Sequence, residues 1–371
     1  MGGKKVVVGM SGGVDSSVAA LLLKEQGYDV IGVTMQIWNN SDTEAIEREG
    51  GCCGQSAVDD AARVAEVLGI PHYVMDFRDI FEKKVIDYFV GDYIHGRTPN
   101  PCIACNRYVK WEALLTKSLE IGADFIATGH YARIELLPNG RYAIRNSVTA
   151  AKDQTYALYA LTQFQLSHTL MPVGDYHKDE IRKMADEAGL PVAHKPDSQE
   201  ICFVSDNDYS SFIEKNAGDR IPPEGRFVSE DGRDLGPNKG IIHYTIGQRK
   251  HLGLSMGHPV FVTDVNAENN SVVIGENEDV FGDRLTCSDI CYMAADKNDS
   301  IFEIGKTFEA VGKIRYAHRG APCTVTRIAD DRLSVCFEEK VRAITPGQAL
   351  VLYQGEHILC GGTIERAKAG S

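Results

Sequence analysis

Three stretches of this chain carry residue types that do chemistry. The first is Gly9-Met10-Ser11-Gly12-Gly13-Val14-Asp15-Ser16, which follows the Val-rich run Lys5–Gly9 and opens an Ala/Leu-rich stretch ending at Gly27. Glycines let a backbone approach an anion closely, and a helix start offers unpaired N–H groups with partial positive charge. Ser11, Ser16 and Ser17 add hydroxyl donors. Asp15 would repel a bare phosphate, so its place there makes sense when Mg2+ lies between carboxylate and phosphate. No Gly-Lys-Ser/Thr closes the loop, which separates it from the Walker sequence. The plain alternative is a glycine turn with a Ser or Asp helix cap.

The other two stretches carry thiols. Thr98–Asn106, TPNPCIACN, reads as a loop stiffened by Pro99 and Pro101 just ahead of a helix. A thiol near a helix N-terminus and beside Arg107 is expected to ionise readily, which makes Cys102 or Cys105 a candidate nucleophile. Asp197–Phe203, DSQEICF, sets Cys202 between Ile201 and Phe203, where a lone Cys is most often a small core residue. Cys52 and Cys53 lie in a Gly-rich stretch that reads as a mobile loop over the nucleotide, with no partner pair to complete a metal site. Cys287, Cys291, Cys323, Cys336 and Cys360 sit in strand-like contexts and read as core packing. Ten cysteines in a reducing compartment point to reactive thiols or metal ligands rather than a disulfide framework.

These residues need elements to position them. Over the first 200 residues strands alternate with helices: strands at Lys5–Gly9, Val30–Met35, His72–Phe77 and Asp124–Thr128, helices at Ser16–Gln26, Ser56–Leu68, Ile80–His95, Trp111–Ile121 and Lys178–Leu190. Such alternation predicts right-handed βαβ units and a parallel sheet covered on both faces. Ligands of such sheets sit beyond the strand C-termini, so loops 10–15, 36–55, 96–106 and 129–131 are expected to converge. After about Asp206 the texture changes to short alternating runs broken by Gly, Asn and Asp: GRFVSEDGRDLG, PVFVTDVNAENNSVVIGE, PCTVTRIADDRLSVCFEE and QALVLYQGEHILCGGTIE. These read as hairpins. The expected architecture is an α/β Rossmann-like parallel-sheet domain over 1–206, a small β-rich domain over 207–281, and a β-barrel over 282–371.

Composition sets outer limits. With 371 residues, 43% hydrophobic and 25% charged, the chain has the makeup of a globular protein of two or three domains. No apolar run approaches a membrane span, and the short basic start is too brief for a signal peptide, so a cytoplasmic protein without membrane contact is expected. A net charge of −13 argues against nucleic-acid binding through overall basicity. The balance is uneven, since 305–371 holds ten Lys/Arg against seven Asp/Glu, which leaves room for a locally basic terminal module.

SGGVDS after a Val-run strand resembles the PP-loop of the ATP pyrophosphatase superfamily, whose members cleave ATP between the α- and β-phosphates to adenylate an oxygen. Taken together, GMSGGVDS, GRTPNPCIACN and DSQEICF are similar to the tRNA-uridine 2-sulfurtransferase (2-thiouridylase) family. The likeness continues through ATGHYAR, KDQTYALY, GIIHYTIGQRKHLG, IRYAHRG and TPGQALVLY, and so spans practically the whole chain. The resemblance implies adenylation of the 2-carbonyl of the wobble uridine in tRNAs for Lys, Glu and Gln, followed by displacement of AMP by sulfur. It implies ATP and Mg2+ as cofactors, and tRNA and a cysteine desulfurase or sulfur-relay protein as partners. Cys202 would carry a persulfide, and Cys105 would be the nucleophile or resolving thiol, leaving a Cys105–Cys202 disulfide for reduction. By matching positions, Gly9, Met10, Ser11, Gly12, Gly13, Val14, Asp15, Ser16, Met35 and Gly129 would bind ATP. Asn100, Pro101 and Cys102 would touch the target base. His130, Lys152, Asp153, Gln154, Arg315, Tyr316 and Gln348 would contact tRNA, although Lys152 and Arg315 read equally well as ordinary solvated charge. Tyr131 and Tyr316 are candidates to stack on an extruded base.

One position departs from the family pattern. Many members have Asp where this chain has Cys102, which puts in doubt any general-base role there. It also makes a three-thiol set, Cys102, Cys105 and Cys202, and three cysteines can hold a [4Fe–4S] cluster with one open iron that binds hydrosulfide. Two other function classes stand beside the leading one. A PP-loop ligase acting on a small metabolite needs neither thiol motif nor terminal β modules. A non-catalytic tRNA-binding or Fe–S protein would not need Ser11, Asp15 and Ser16 intact.

Overall fold

The computed structural model describes residues 3–37, 55–196, 201–204 and 208–366. The chain gathers into two compact units, one of 1–86, 102–208 and 355–358, the other of 87–101, 209–354 and 359–371.

The first unit is built on β1 (Lys5–Gly9), whose Val6, Val7 and Val8 are completely buried. A strand buried on both faces loses the polar/apolar alternation of an exposed one, and the unbroken valine run is its signature. β1 lies between β2 (Asp29–Gln36) and β4 (Phe125–Ala127), with Val6 in parallel register with Val30 on one side and Phe125 on the other. β3 (His72–Asp76) pairs with β2 in parallel. After β4 the chain forms an antiparallel hairpin, β5 (Ala132–Leu136) with β6 (Tyr142–Asn146), and then returns as β7 (Thr169–Leu170) beside β4. The parallel sheet therefore runs β3-β2-β1-β4-β7. The four longer strands stand where periodicity predicts them. β7, with two residues, is too short to leave a pattern.

α1 (Val14–Glu25) begins inside the glycine loop, two residues before the expected Ser16, and buries Val14, Val18, Leu22 and Leu23. α2 (Gln55–Leu68) and α3 (Lys178–Glu187) also match their predicted spans, and α3 packs against α1. A larger difference concerns the thiol segment. Pro101–Ala104 is already helical and continues through a π-helical stretch, Cys105–Leu114, into Leu115–Glu120. The expected start at Trp111 is thus ten residues late, because Pro101 occupies a first-turn position where its missing N–H costs nothing. The π stretch is a local widening of the kind that clusters at functional sites.

The second unit contains the helical segment Asp87–Ile94 and a helix, α4 (Tyr209–Ala217), that the strand-like reading after Asp206 does not anticipate. A small sheet follows, formed by β8 (Gly225–Ser229), β9 (Asp234–Asn238), β10 (Phe261–Asn266) and β11 (Ser271–Gly275) in the order β10-β11-β8-β9. The remaining strands are β12 (Phe281–Tyr292), β13 (Thr307–Lys313), β14 (Ala321–Ala329), β15 (Arg332–Arg342), β16 (Ala349–Gln354) and β17 (His357–Ile364). Their order, β12-β15-β14-β13-β16-β17, closes by antiparallel pairing of β12 with β17 into a six-stranded barrel. Closure removes exposed edges, and the interior is filled by Phe302, Val325, Leu333, Val335, Leu350, Leu352 and Leu359. All four predicted hairpins are present. Among the described residues no helix is long and apolar enough to cross a membrane.

Candidate active site

β1 delivers Gly9 to its C-terminal end, and the chain turns at once into α1. Gly12 has φ +65°, and a Cβ on it would collide with the Ala57 carbonyl of α2, so only glycine fits. The Ser11 N–H donates to Ser16 Oγ at 3.3 Å, and the Ser16 and Ser17 hydroxyls donate to the Gly13 carbonyl at 3.2 and 2.8 Å. No side chain caps α1 at Gly13, which removes the plain reading of the loop as a Ser- or Asp-capped turn. The first amides of α1 have no acceptor within the helix, the arrangement that an external anion can complete.

Other predicted residues gather around this loop. The Met10 N–H donates to the Val33 carbonyl at 2.8 Å, and a Cβ on Gly32 would lie 2.6 Å from Met10 Sδ. Met35 is half-buried near the end of β2. Beyond β4, Gly129 presses on the start of α1 so closely that a Cβ would lie 2.5 Å from Ser16 N and 2.9 Å from Asp15 Cβ. Thr34, buried beneath the loop, donates to the Met10 carbonyl at 3.0 Å and lies 2.9 Å from His72 Nε2. Burial holds the His72 ring below its ordinary pKa.

Asp15 is heavily engaged. Lys178 Nζ, at the first residue of α3, lies 2.7 and 2.8 Å from its two carboxylate oxygens, and the Tyr131 hydroxyl donates to one of them at 2.6 Å. Tyr131 is itself clamped, its N–H donating to Gln154 Oε1 at 2.9 Å and its carbonyl accepting from the Gln154 N–H at 3.0 Å. On the other flank of the loop, Lys195 donates to the Gly12 carbonyl at 3.1 Å and pairs with Asp60 of α2 at 2.7 Å. Neither lysine is singled out by the sequence reading. One signal was available for Lys178: a cation at the first position of a helix opposes the helix dipole and needs a local reason to be there. The expectation that Tyr131 stacks on a base is corrected, since its ring is buried and its hydroxyl is spent on Asp15. The glycine contacts, the uncapped helix and the carboxylate fit a nucleotide phosphate with Mg2+. In that arrangement Asp15 would hold the ion and the α1 amides the phosphate, and the ion would neutralise phosphate charge.

Of the thiols, Cys102 is exposed, while Cys105 and Cys202 are half-buried. Cys102 and Cys105 stand at the helix start rather than in a loop before it, and Asn106 anchors the segment by donating to the Ala157 carbonyl at 2.9 Å. Next to Cys202, the Phe203 ring packs edge-on against Phe81 at 5.8 Å, and Arg78–Phe81 packs against the Cys105–Leu114 stretch. Among the described residues no three His, Cys, Asp or Glu side chains gather closely enough to hold a metal ion, so the three-thiol set is not a preformed cluster cradle. Cys102 and Cys105 share one helix start, whereas Cys202 comes from a separate segment. Cys52, Cys53 and Asp197–Glu200 lie outside the described residues.

The residues expected at tRNA divide by environment. His130 packs against Trp111 at 5.5 Å and its Nδ1 lies 2.8 Å from Thr128 Oγ1. Burial, and then the nearby Lys110 charge, hold His130 well below its ordinary pKa, so it is a neutral hydrogen-bonding group rather than a cation. Some of its surface remains accessible. Asp153 accepts from Ser147 N at 2.9 Å and from Thr155 Oγ1 at 2.5 Å, and like Gln154 it shapes its own turn, while Lys152 is half-buried. In the second unit, Gln348 Nε2 donates to the carbonyls of Thr98 and Pro99 at 2.9 and 3.3 Å, just ahead of Asn100 and Pro101. Arg315 donates to the Arg342 carbonyl at 2.6 Å, and Tyr316 is 48% exposed. Burial, with the charges of Arg315 and Lys313, keeps His318 deprotonated more readily than usual, as expected in a basic patch.

A parallel sheet whose first strand feeds a glycine loop and an uncapped helix, with a small sheet and a closed barrel in the second unit, defines an α/β protein of nucleotide-binding type. Residues 4–206 match the family described as tRNA methyl transferase HUP domain, 210–276 its PRC-barrel domain, and 282–364 the aminomethyltransferase beta-barrel domain. The chain is 62% identical to the tRNA-specific 2-thiouridylase MnmA of Lachnoclostridium phytofermentans, over 97% of this chain and 99% of that protein. It is 52% identical to the MnmA of Clostridioides difficile over 98% and 99%, and 57% identical to that of Clostridium perfringens over 98% of each. The chain belongs to the tRNA-specific 2-thiouridylase family, and it is a sulfurtransferase that 2-thiolates tRNA.

Proposed function

We propose that the enzyme uses ATP and Mg2+ to activate the wobble uridine of tRNAs for Lys, Glu and Gln in the cytoplasm, and replaces the 2-oxygen with sulfur from a cysteine persulfide. The uridine O2 attacks the α-phosphorus and pyrophosphate leaves. The terminal sulfur of a Cys202 persulfide forms the new bond to C2, and AMP departs with the oxygen. The Cys105 thiolate takes the Cys202 sulfur as the persulfide S–S bond breaks, and an external dithiol returns the resulting disulfide to two thiols. A cysteine desulfurase or sulfur-relay protein reloads Cys202.

The chain's own residues prepare this sequence. The α1 amides and the Ser11 and Ser16 hydroxyls orient the phosphates, and Asp15 holds the ion. Asn100, Pro101 and Cys102 border the target base, and Arg315 and Tyr316 offer charge and an exposed ring to RNA. The observation that carries the reading is the uncapped α1 behind Gly9–Ser16, a phosphate seat in a chain of full-length likeness to 2-thiouridylases. Cys102 favours a second reading, hydrosulfide delivery from a cluster on Cys102, Cys105 and Cys202. The test is mass analysis of nucleosides from tRNA incubated anaerobically with enzyme, ATP, a cysteine desulfurase with cysteine as the sulfane-sulfur source, and a dithiol. 2-Thiouridine at the wobble position, with one AMP released per thiolation, is expected. Thiolation that proceeds without ATP refutes the activation step.

A further inference from the structure

The carboxylate that a nucleotide-bound ion would need is already occupied by this chain's own cation. Lys178 Nζ lies within 2.8 Å of both Asp15 oxygens, and its side chain is only 12% exposed, against 31% for Asp15. The Tyr131 hydroxyl holds the same carboxylate at 2.6 Å, and the ammonium lies 5.7 Å from the Tyr131 ring centre. The pair thus sits at the first turn of α1, beside the amides that face the phosphate seat. α3 supplies the lysine, and its packing against α1 fixes the approach.

We propose that Lys178 is a nucleotide-binding residue that exchanges partners: it neutralises Asp15 while the loop is empty, and transfers to the phosphates when the Mg2+ of Mg·ATP takes the carboxylate. The proposal rests on the ATP reading above. The charges require some such exchange. A divalent ion on Asp15 would repel an ammonium less than 3 Å away, and a largely enclosed lysine stripped of its counter-ion is costly unless another anion replaces it. The incoming phosphate oxygens are that anion. Empty, Asp15 and Lys178 cancel. Loaded, the same two groups face opposite parts of one ligand, the carboxylate the metal and the ammonium the phosphate. Tyr131, clamped through Gln154, keeps Asp15 in place during the exchange.

Calorimetric titration of the full-length protein, parallel with Lys178→Met and Asp15→Asn, tests this with three probes: Mg·ATP, ATP in EDTA, and inorganic pyrophosphate in EDTA. Lys178→Met is expected to weaken Mg·ATP by about tenfold or more, the scale of a lost charge-assisted contact, while tRNA affinity stays within about twofold. Asp15→Asn releases the ammonium and removes a like charge, so metal-free pyrophosphate is expected to bind about tenfold tighter than in the parent, and most of that gain is expected to disappear when Lys178→Met is combined with it. If both variants melt earlier but leave all three affinities unchanged, Lys178 is a structural partner of Asp15 and the proposal is overturned. If the parent protein itself fails to bind Mg·ATP, the ATP reading falls. Binding by the parent with no loss in Lys178→Met overturns the exchange alone.

Discussion

Cys105 and Cys202 share one consequence and differ in mechanism. Replacing either with Ser keeps nearly the same volume and removes the sulfur, so each variant is expected to lose 2-thiouridine formation while binding tRNA with parental affinity, read by nucleoside mass analysis and filter binding. Wild-type turnover in either variant removes the role assigned to that thiol. His130 gives a different handle. Its pKa lies well below 6.5 in the folded protein, with His72 and His318 also lowered. Below about pH 6.5 the unfolded chain takes up protons that these folded rings refuse, so stability is full above that pH and falls as the pH drops toward the folded values. His130→Gln is expected to flatten the fall in urea midpoint between about pH 6.5 and 5. At this scale the glycine loop and both thiol motifs are legible in the sequence because each is a contiguous string. Lys178 and Lys195 are not, since they meet Asp15 and Gly12 from 163 and 183 residues away and no local spacing records that meeting.

The turn before β16 shows what an element contributes. Gly347 has φ +89°, and a Cβ there would lie 3.0 Å from Arg97 Cβ and 3.1 Å from Thr98 N. Thr98 N–H donates to the Pro346 carbonyl at 2.8 Å, and Gln348 serves the next two carbonyls, so the turn grips the proline-rich segment with three hydrogen bonds. Two prolines deprive that segment of its own donors, which is why it needs an external grip. Gly347→Ala is expected to cost about 1–3 kcal/mol in urea unfolding through backbone strain alone, and more where the clash is not relieved. β1 was legible because full burial of Val6, Val7 and Val8 writes an unbroken apolar run. The early helix start at Pro101 was not, because proline reads first as a loop former and only the surrounding fold makes it a first-turn residue.

Across the whole molecule a net charge of −13 coexists with the run Lys313, Arg315, His318 and Arg319 on the second unit. Affinity for tRNA should therefore come from a local patch, and Arg315→Ala is expected to weaken binding and to lower the salt slope by about one phosphate contact. An unchanged slope places Arg315 away from RNA. Iron and sulfide analysis of anaerobically purified protein separates the two sulfur routes, with iron-free protein that thiolates tRNA expected. The barrel adds one consequence of its own. Cys287 and Cys360 are completely buried with their thiols pushed far up by desolvation, and Cys323 is pushed up to about 12. At cellular pH these three stay protonated and sealed, so they are poor acceptors of sulfane sulfur and poor targets for alkylating agents. Three of the described cysteines are thereby closed to a sulfur donor, while Cys291 and Cys336 stay half-buried.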